Sequence, residues 1–412
     1  MKKFTKYSSL LVVVIFFIPL SSCTHKEERL KVSGVNSKFN FDTSKTFSEY
    51  ISYSRKIIAS GRVNLNSDNK DKIIAWNSPF TTRPNIRNCS TNNKKGILLI
   101  HGLTDSPYIT RTMAGHFSKN CFTVYSILLA GHGTRPGDLL DVSYKDWVKQ
   151  VEYGVKELSK EADKIYLGGF STGGALAVNY VLSNPLKKIA GIIALSPALN
   201  LDTIASLSPV VKYFKKYNST YEDKDLVKYE SFAMNAAAQI YLLTKRISKK
   251  LKNNNKPLKN TPIFAALTYE DKTINAEKTL DTLLNNTSSK KRHIVVYHQY
   301  DLPINMTNHK NLYQIQSTIK KDQILDLAHI SLPNNSHDIW YGKNGQYRNC
   351  LHYYDDRNKN QNYNLCQSSD HIYYGEITKS NLNKGITARL SYNPFIEKLF
   401  ADLEKFFLQH SS

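Results

Sequence analysis

Short apolar runs separated by amphipathic stretches recur along the middle of the chain. Residues 96–100, 121–129, 165–167, 189–195, 261–267 and 292–297 are apolar at nearly every position. A strand with one wet face would alternate, so continuous apolarity predicts strands covered on both sides. Between the runs the spacing becomes helical. Ser143 with Asp146 three residues on resembles a capping box, ahead of a stripe formed by Trp147, Val148, Val151, Val155 and Leu158. Ser106 followed by Pro107 is a good helix start, and residues 175–182 read as a small-residue helix that Pro185 ends. Strand and helix in alternation predict an α/β fold, with a mostly parallel sheet between two helical layers.

Three segments leave this rhythm. Residues 47–58 have helical spacing and are expected to pack against the edge of the main domain. Residues 199–258 carry amphipathic helical segments such as 233–243, inserted between two strands of the sheet. An insertion at the carboxyl end of a strand lies over the expected active site, so it reads as a helical cap; a peripheral helical decoration is the alternative. Residues 343–393 form a tyrosine-rich extension with two cysteines, suited to an extra hairpin or a substrate wall.

The N-terminus follows another logic. Lys2, Lys3 and Lys6 precede an apolar run over 10–20, which meets Ser21-Ser22-Cys23. Eleven positions are short for a membrane span and suit a cleaved leader. Residues 20–23, Leu-Ser-Ser-Cys, resemble a bacterial lipobox, which implies a signal peptide over 1–22 and a lipid on Cys23; a secretory leader with an incidental cysteine is the alternative. Residues 23–45 then read as a flexible tether, and 46–412 as the folded domain. The expected location is the bacterial cell envelope, exported and lipid-anchored at the outer membrane, on its periplasmic or surface face.

Four cysteines remain. An even number in an exported chain suggests two disulfides, with Cys89 joined to Cys121 and Cys350 to Cys366. No C-x-x-C spacing occurs and the histidines are scattered, so the sequence offers no metal site. The formal charge of +22 raises the question of nucleic acid. Its lysines are spread along the whole chain, without an arginine-rich block or an aromatic-interleaved stripe, and nucleic acid is not an expected partner. Attraction to anionic headgroups remains compatible with a tethered protein.

Chemistry concentrates at Gly169-Phe170-Ser171-Thr172-Gly173, where an apolar run breaks into a helix. The pentapeptide alone is weak evidence, because glycine and serine are common. In this context it reads as a nucleophile on a sharp strand-to-helix turn, with the Thr172 amide facing a developing oxyanion. His101-Gly102-Leu103 ends an earlier strand, and the Leu103 amide is the second expected donor; His101 reads as a loop-shaping residue. Asp271 lies just past another strand, where a carboxylate can fix the tautomer of a histidine; Glu270 is the neighbouring alternative. For the base, two residues compete. Residues 323–332 read as a strand stopped by Pro333, which would bury His329 in a ladder, whereas His337 lies in the polar loop beyond. His337 is therefore the expected base, with His329 the alternative. His293, His298 and His309 are weaker candidates.

His101-Gly102, Gly131-His132-Gly133, the Ser171 pentapeptide, Asp271 and Ser336-His337 together resemble the α/β-hydrolase superfamily, in its branch of monoacylglycerol-lipase-like esterases and serine aminopeptidases. The resemblance spans roughly residues 75–345. It implies the chain order nucleophile, acid, histidine, a cap, and no cofactor. Residues 301–321 depart from it as an unusual insertion before the histidine, and residues 343–393 as an added tail. The implied activity is cleavage of a carboxylic ester or lipid through an acyl-serine. A serine exopeptidase of the same fold would need cap acids to hold the substrate amine, for which Glu222, Asp223 and Asp225 are available. A surface lipoprotein that binds without catalysis is the reading from another class.

Overall fold

The computed structural model describes residues 28–85, 89, 92–187, 189–201, 206–303, 307–354 and 361–410. The leader and Cys23 lie outside the described residues. Eight strands form the central sheet: β1 (Phe80–Thr82), β2 (Lys95–Ile100), β3 (Phe122–Ile127), β4 (Lys164–Phe170), β5 (Gly191–Leu195), β8 (Ile263–Thr268), β9 (Arg292–His298) and β10 (Leu312–Gln316). Their spatial order is β1-β3-β2-β4-β5-β8-β9-β10, parallel throughout except for β1. Strands β5, β8 and β9 are buried at every position. Each strand feeds both faces by its two-residue period. Leu98 and Ile100 point to a layer with the helices Tyr144–Leu158, Thr172–Ser183 and Met234–Asn253, while Ile97 and Leu99 join a second core with Arg111–Lys119 and Ile396–Gln409.

The insertion between β5 and β8 divides in two. Its first half holds a short helix (Ser208–Val211) and a small antiparallel pair, β6 (Tyr217–Ser219) with β7 (Phe232–Ala233). Its second half, the helix Met234–Asn253, buries Leu243, Ile247 and Leu251 in the same core as the helix Thr172–Ser183. Only the first half and the start of that helix overhang the strand ends, so part of the expected cap is a structural layer.

Three sequence expectations change here. Residues 28–45, read as tether, are packed onto the domain. Arg29 is buried, pairs with Asp223 and donates to Ser231 Oγ at 2.9 Å. Asp138 accepts from the Ser33 amide and hydroxyl at 2.6 and 2.8 Å, and the Asn36 carbonyl accepts from Gly131 N at 2.6 Å. Phe39 and Phe41 complete an aromatic cluster with Tyr50 and Tyr153, at centroid distances of 5.3 to 6.3 Å. Three of these five anchors, Arg29, Ser33 and Asn36, are polar and give no apolar periodicity, which is why the segment reads as unstructured.

The second change concerns residues 301–321, which deliver the parallel edge strand β10 rather than a simple insertion. Tyr313 on one face and Gln314 and Gln316 on the other are exposed, so the apolar signal of a buried strand is absent. The third concerns 323–332, which do not form the expected strand. Ile324 makes single bridges to Ile319 and Tyr374, and His329–Ser331 close into a 3-10 turn. Asp326 is the reason: its buried carboxylate accepts from Glu376 N at 2.5 Å and Asn381 Nδ2 at 2.9 Å, so this stretch is held by loops of the extension instead of a ladder.

The extension has a small core of its own, Cys350, Tyr363, Cys366, Ile372 and Ala388, beside the parallel pair β11 (Tyr373–Gly375) and β12 (Thr387–Arg389). Disulfides join Cys350 to Cys366 and Cys89 to Cys121. Among the described residues no helix is long and apolar enough to cross a membrane.

The packing of residues 28–45 is open to measurement. A Phe39→Ala/Phe41→Ala double substitution is expected to lower the urea unfolding free energy by about 2–4 kcal/mol. A loss below about 0.5 kcal/mol, the range of neutral surface changes, would restore the tether reading.

Candidate active site

Ser171 stands between β4 and the helix Thr172–Ser183 at φ 53°, ψ −114°, a conformation that ordinary residues avoid. Two glycines permit it. A Cβ on Gly169 would meet the Gly173 carbonyl carbon at 2.2 Å, and one on Gly173 would meet the Ile100 carbonyl oxygen at 2.0 Å. The turn is pinned by Ser171 N donating to Leu195 O at 2.9 Å and by Ser171 O accepting from Ala175 N and Ala198 N. Thr172 is the first residue of the helix, so its amide is one of the donors the helix itself leaves unpaired.

Beside it, the loop after β2 is fixed from below by His101. The Leu129 amide donates to His101 Nε2 at 3.0 Å, which makes Nε2 the acceptor and leaves Nδ1 to donate to Gly102 O at 2.8 Å. His132 lies 4.9 Å away, centroid to centroid, with Nδ1 against Ala130 O. Both rings are fully buried, and burial lowers His101 to about 4 and His132 to about 3. They are neutral struts of the loop, as His101 was expected to be. The loop is also tied to the insertion: Lys228 pairs with Asp105 at 2.8 Å, and Tyr229 N donates to Thr104 O at 2.8 Å.

At the other side, Asp271 follows β8. Its Oδ1 accepts from Thr273 N at 2.7 Å and Ile274 N at 3.1 Å, and its Oδ2 lies 2.5 Å from His329 Nδ1. Glu270 instead accepts from Gln299 N. The histidine brought to the acid is thus His329, not the expected His337. His329 is buried on the 3-10 turn, its ring 4.9 Å from that of Phe170. His337 is exposed, with its amide on Asn335 Oδ1, because Asp338 folds its loop back: that carboxylate accepts from Trp340 N, Tyr341 N and the Tyr108 hydroxyl. His293 is a packing residue of β9 between Phe264 and Tyr313.

Ser171, Thr172, Leu103 and His329 all line one cavity of about 670 Å³. One part of the lining is apolar, with Ala198, Leu201, Met234, Ala237 and Ile240. Another part is polar and comes largely from the extension, through Tyr347, Asn349, His352, Glu376 and Arg389. Glu230, from the insertion, also faces the cavity; burial, reinforced by Asp225, raises its carboxyl to about 7, while the Tyr347 hydroxyl donates to it at 2.7 Å. None of Glu222, Asp223 and Asp225 lines this cavity. Asp223 is engaged by Arg29, and Asp225 is buried beneath Trp340 and Tyr341. Glu230, Glu376 and Arg389 carried no local signal in the sequence, because their place depends on the folding of two irregular segments.

A family model described as serine aminopeptidase, S33 (Hydrolase_4) matches residues 91–220. A thermostable monoacylglycerol lipase from Bacillus sp. (strain H-257) is 34% identical over 115 residues, which are 28% of this chain and 45% of the relative. The chain therefore spans less than half the length of the curated relative it matches. Among solved structures, the chain is similar to one from a study of the metagenome-derived lipolytic enzymes LipS and LipT, with 20% identity, TM-score 0.43 and coverage of 53% of this chain and 86% of the other. A Paleococcus ferrophilus monoacylglycerol lipase is 18% identical, with TM-score 0.41 and coverage of 53% and 88%. The sheet order, the strand-to-helix turn and the family match give this chain the α/β-hydrolase fold.

The neutral histidines under the loop set an acid limit. Their folded values lie below the unfolded 6.5, so their contribution to stability is complete above that value and is lost as pH falls from 6.5 toward 4. The Tm of the wild type should drop across this window by more than that of His101→Asn, which cannot titrate. Parallel Tm curves for the two proteins would remove His101 as the cause.

Proposed function

We propose that the protein is a serine hydrolase of the monoacylglycerol-lipase-like branch, cleaving carboxylic esters with an aliphatic acyl group. The observation that carries this reading is that His329, held by Asp271, lines the same cavity as the strained Ser171. With Nδ1 of His329 held by the carboxylate, Nε2 is the nitrogen available to take the Ser171 proton. Ser171 Oγ then attacks the ester carbonyl, and the oxyanion is met by the amides of Thr172 and Leu103. The imidazolium returns the proton to the leaving alcohol. Water, deprotonated by His329, resolves the acyl-enzyme and regenerates the serine.

Substrate class follows from the two parts of the cavity lining. The apolar part suits an acyl chain, and the polar part suits the alcohol portion. Exposed Leu207, Val210, Tyr213 and Phe214 on the insertion add apolar surface beside lysines 212, 215 and 216, which fits substrates drawn from a lipid surface. Acylation of Cys23, with export to the cell envelope, belongs to the same proposal and rests on the lipobox-like sequence. It would hold the enzyme where such substrates are found.

A panel of p-nitrophenyl esters of increasing acyl length, run beside an aminopeptidase substrate, tests the reading. Ester turnover should fall by on the order of 10⁴-fold or more in Ser171→Ala and in His329→Ala. His337→Ala should stay within about twofold of wild type, as for a surface change away from the site. Undiminished turnover in Ser171→Ala, or hydrolysis of the aminopeptidase substrate alone, would overturn the proposal.

A further inference from the structure

The reading of Ser171, Asp271 and His329 leaves unexplained why an ion pair from the C-terminal extension, with Glu376 buried and Arg389 partly exposed, is built against the acid and the base. Glu376 is 1% exposed and Arg389 is paired to it through Nε at 2.8 Å and Nη2 at 2.9 Å. The same carboxylate accepts from His329 N at 3.1 Å and Ile377 N at 2.8 Å. Arg389 Nη2 also donates to Thr273 Oγ1 at 2.7 Å, and Thr273 N donates to Asp271 Oδ1. The contacts close on themselves: Asp271 to His329, His329 to Glu376, Glu376 to Arg389, Arg389 to Thr273, and Thr273 back to Asp271.

Resting on the serine-hydrolase reading, we propose that Glu376 and Arg389 are positioning residues, through which the C-terminal extension sets the alignment of His329 and Asp271. His329 sits on a 3-10 turn outside any ladder, so its backbone amide has no partner within regular structure. Glu376 supplies that partner and fixes the backbone from which the imidazole projects. Arg389 gives the brace its second arm, by gripping the loop that presents Asp271. Burial by itself would raise the Glu376 carboxyl, but Arg389 together with the amides of His329 and Ile377 offsets this and holds it below its ordinary value, so the acceptor is charged.

Stability alone is a poor reason for such a pair. A buried ion pair seldom outperforms well-packed apolar residues of the same volume. Position is the better reason, because one carboxylate at this point meets an amide of the base and a guanidinium that reaches the acid's loop. The brace is in turn seated on the extension: Asp326 accepts from Glu376 N, and Arg389 N donates to Asn349 O next to the Cys350–Cys366 bridge. A tail that looks like an appendage in the sequence thus completes the site.

The test compares kcat and KM for p-nitrophenyl butyrate, with Tm recorded for each protein. Thr273→Val opens the ring at an exposed residue, and should lower kcat by about 3–10-fold with KM within about twofold and Tm unchanged. Glu376→Ala, which removes both arms, should lower kcat by about 10²-fold, again with little change in KM. Glu376→Gln keeps an oxygen for the His329 amide and should recover part of that loss. The labelling rate of Ser171 by a fluorophosphonate should fall in parallel. If the Glu376 variants do not fold, Thr273→Val decides alone. Wild-type kcat in Thr273→Val and in any folded Glu376→Gln, or losses confined to KM, would overturn the proposal while Ser171→Ala remains inactive. Turnover in Ser171→Ala would instead remove the hydrolase reading on which it rests.

Discussion

The close approach of two backbones governs this molecule: the helix that begins at Thr172 starts against the carbonyl end of β2. At Gly173 there is no room for even one carbon before the Ile100 carbonyl, and at Gly169 none before Gly173 itself. These contacts hold Ser171 in its left-handed conformation and bring the loop after β2 beside it. Thr172 and Leu103 line the same cavity for the same reason. Parallel pairing of β2 with β4, residue 100 opposite residue 169, sets the level at which the two strands end. The strain costs on the order of 1–3 kcal/mol and is tolerated because the surrounding sheet over-determines it.

That arrangement was largely legible in the sequence, because its determinants are local. Apolar runs without alternation marked the buried strands, and small residues after Ser171 marked the helix. Asp271 was legible too, as a carboxylate just beyond a strand end. The base was not. His329 lies in a stretch, 323–332, whose composition favours a strand, and His337 lies in one whose composition favours a loop. Composition reported the local preference correctly enough, but Asp326 and Glu376 capture the backbone of the first stretch, and Asp338 folds the second away from the cavity. Each decision is made by a carboxylate whose partners are distant in sequence or irregular in structure. The same holds for residues 28–45, where anchors such as Arg29 find Asp223 nearly two hundred positions away.

Electrostatics divides the surroundings of the site in two. Under the loop after β2 the polar groups are neutral: His101 and His132 are desolvated, and both nitrogens of His101 and Nδ1 of His132 meet backbone atoms. Against Asp271 and His329 they are charged, with Glu376 and Arg389 neutralising each other. In the proposed mechanism, neutral struts leave the field at the oxyanion position to the amides and the helix N-terminus. A compensated ion pair likewise gives fixed geometry without adding net charge beside the histidine proposed to gain and lose a proton.

The two additions to the sheet therefore act at different points of one cavity. The insertion between β5 and β8 gives the apolar part of the lining and grips the loop after β2 through Lys228 and Tyr229. The C-terminal extension gives the polar part and grips the loop after β8 through Arg389. They meet where Tyr347 of the extension donates to Glu230 of the insertion, and both residues line the cavity together with Ser171. Separating the two additions would have to break this hydrogen bond. In the proposed mechanism, the chain's irregular parts therefore shape both the lining of the cavity and the contacts of the Asp271–His329 pair, on a sheet that supplies neither by itself.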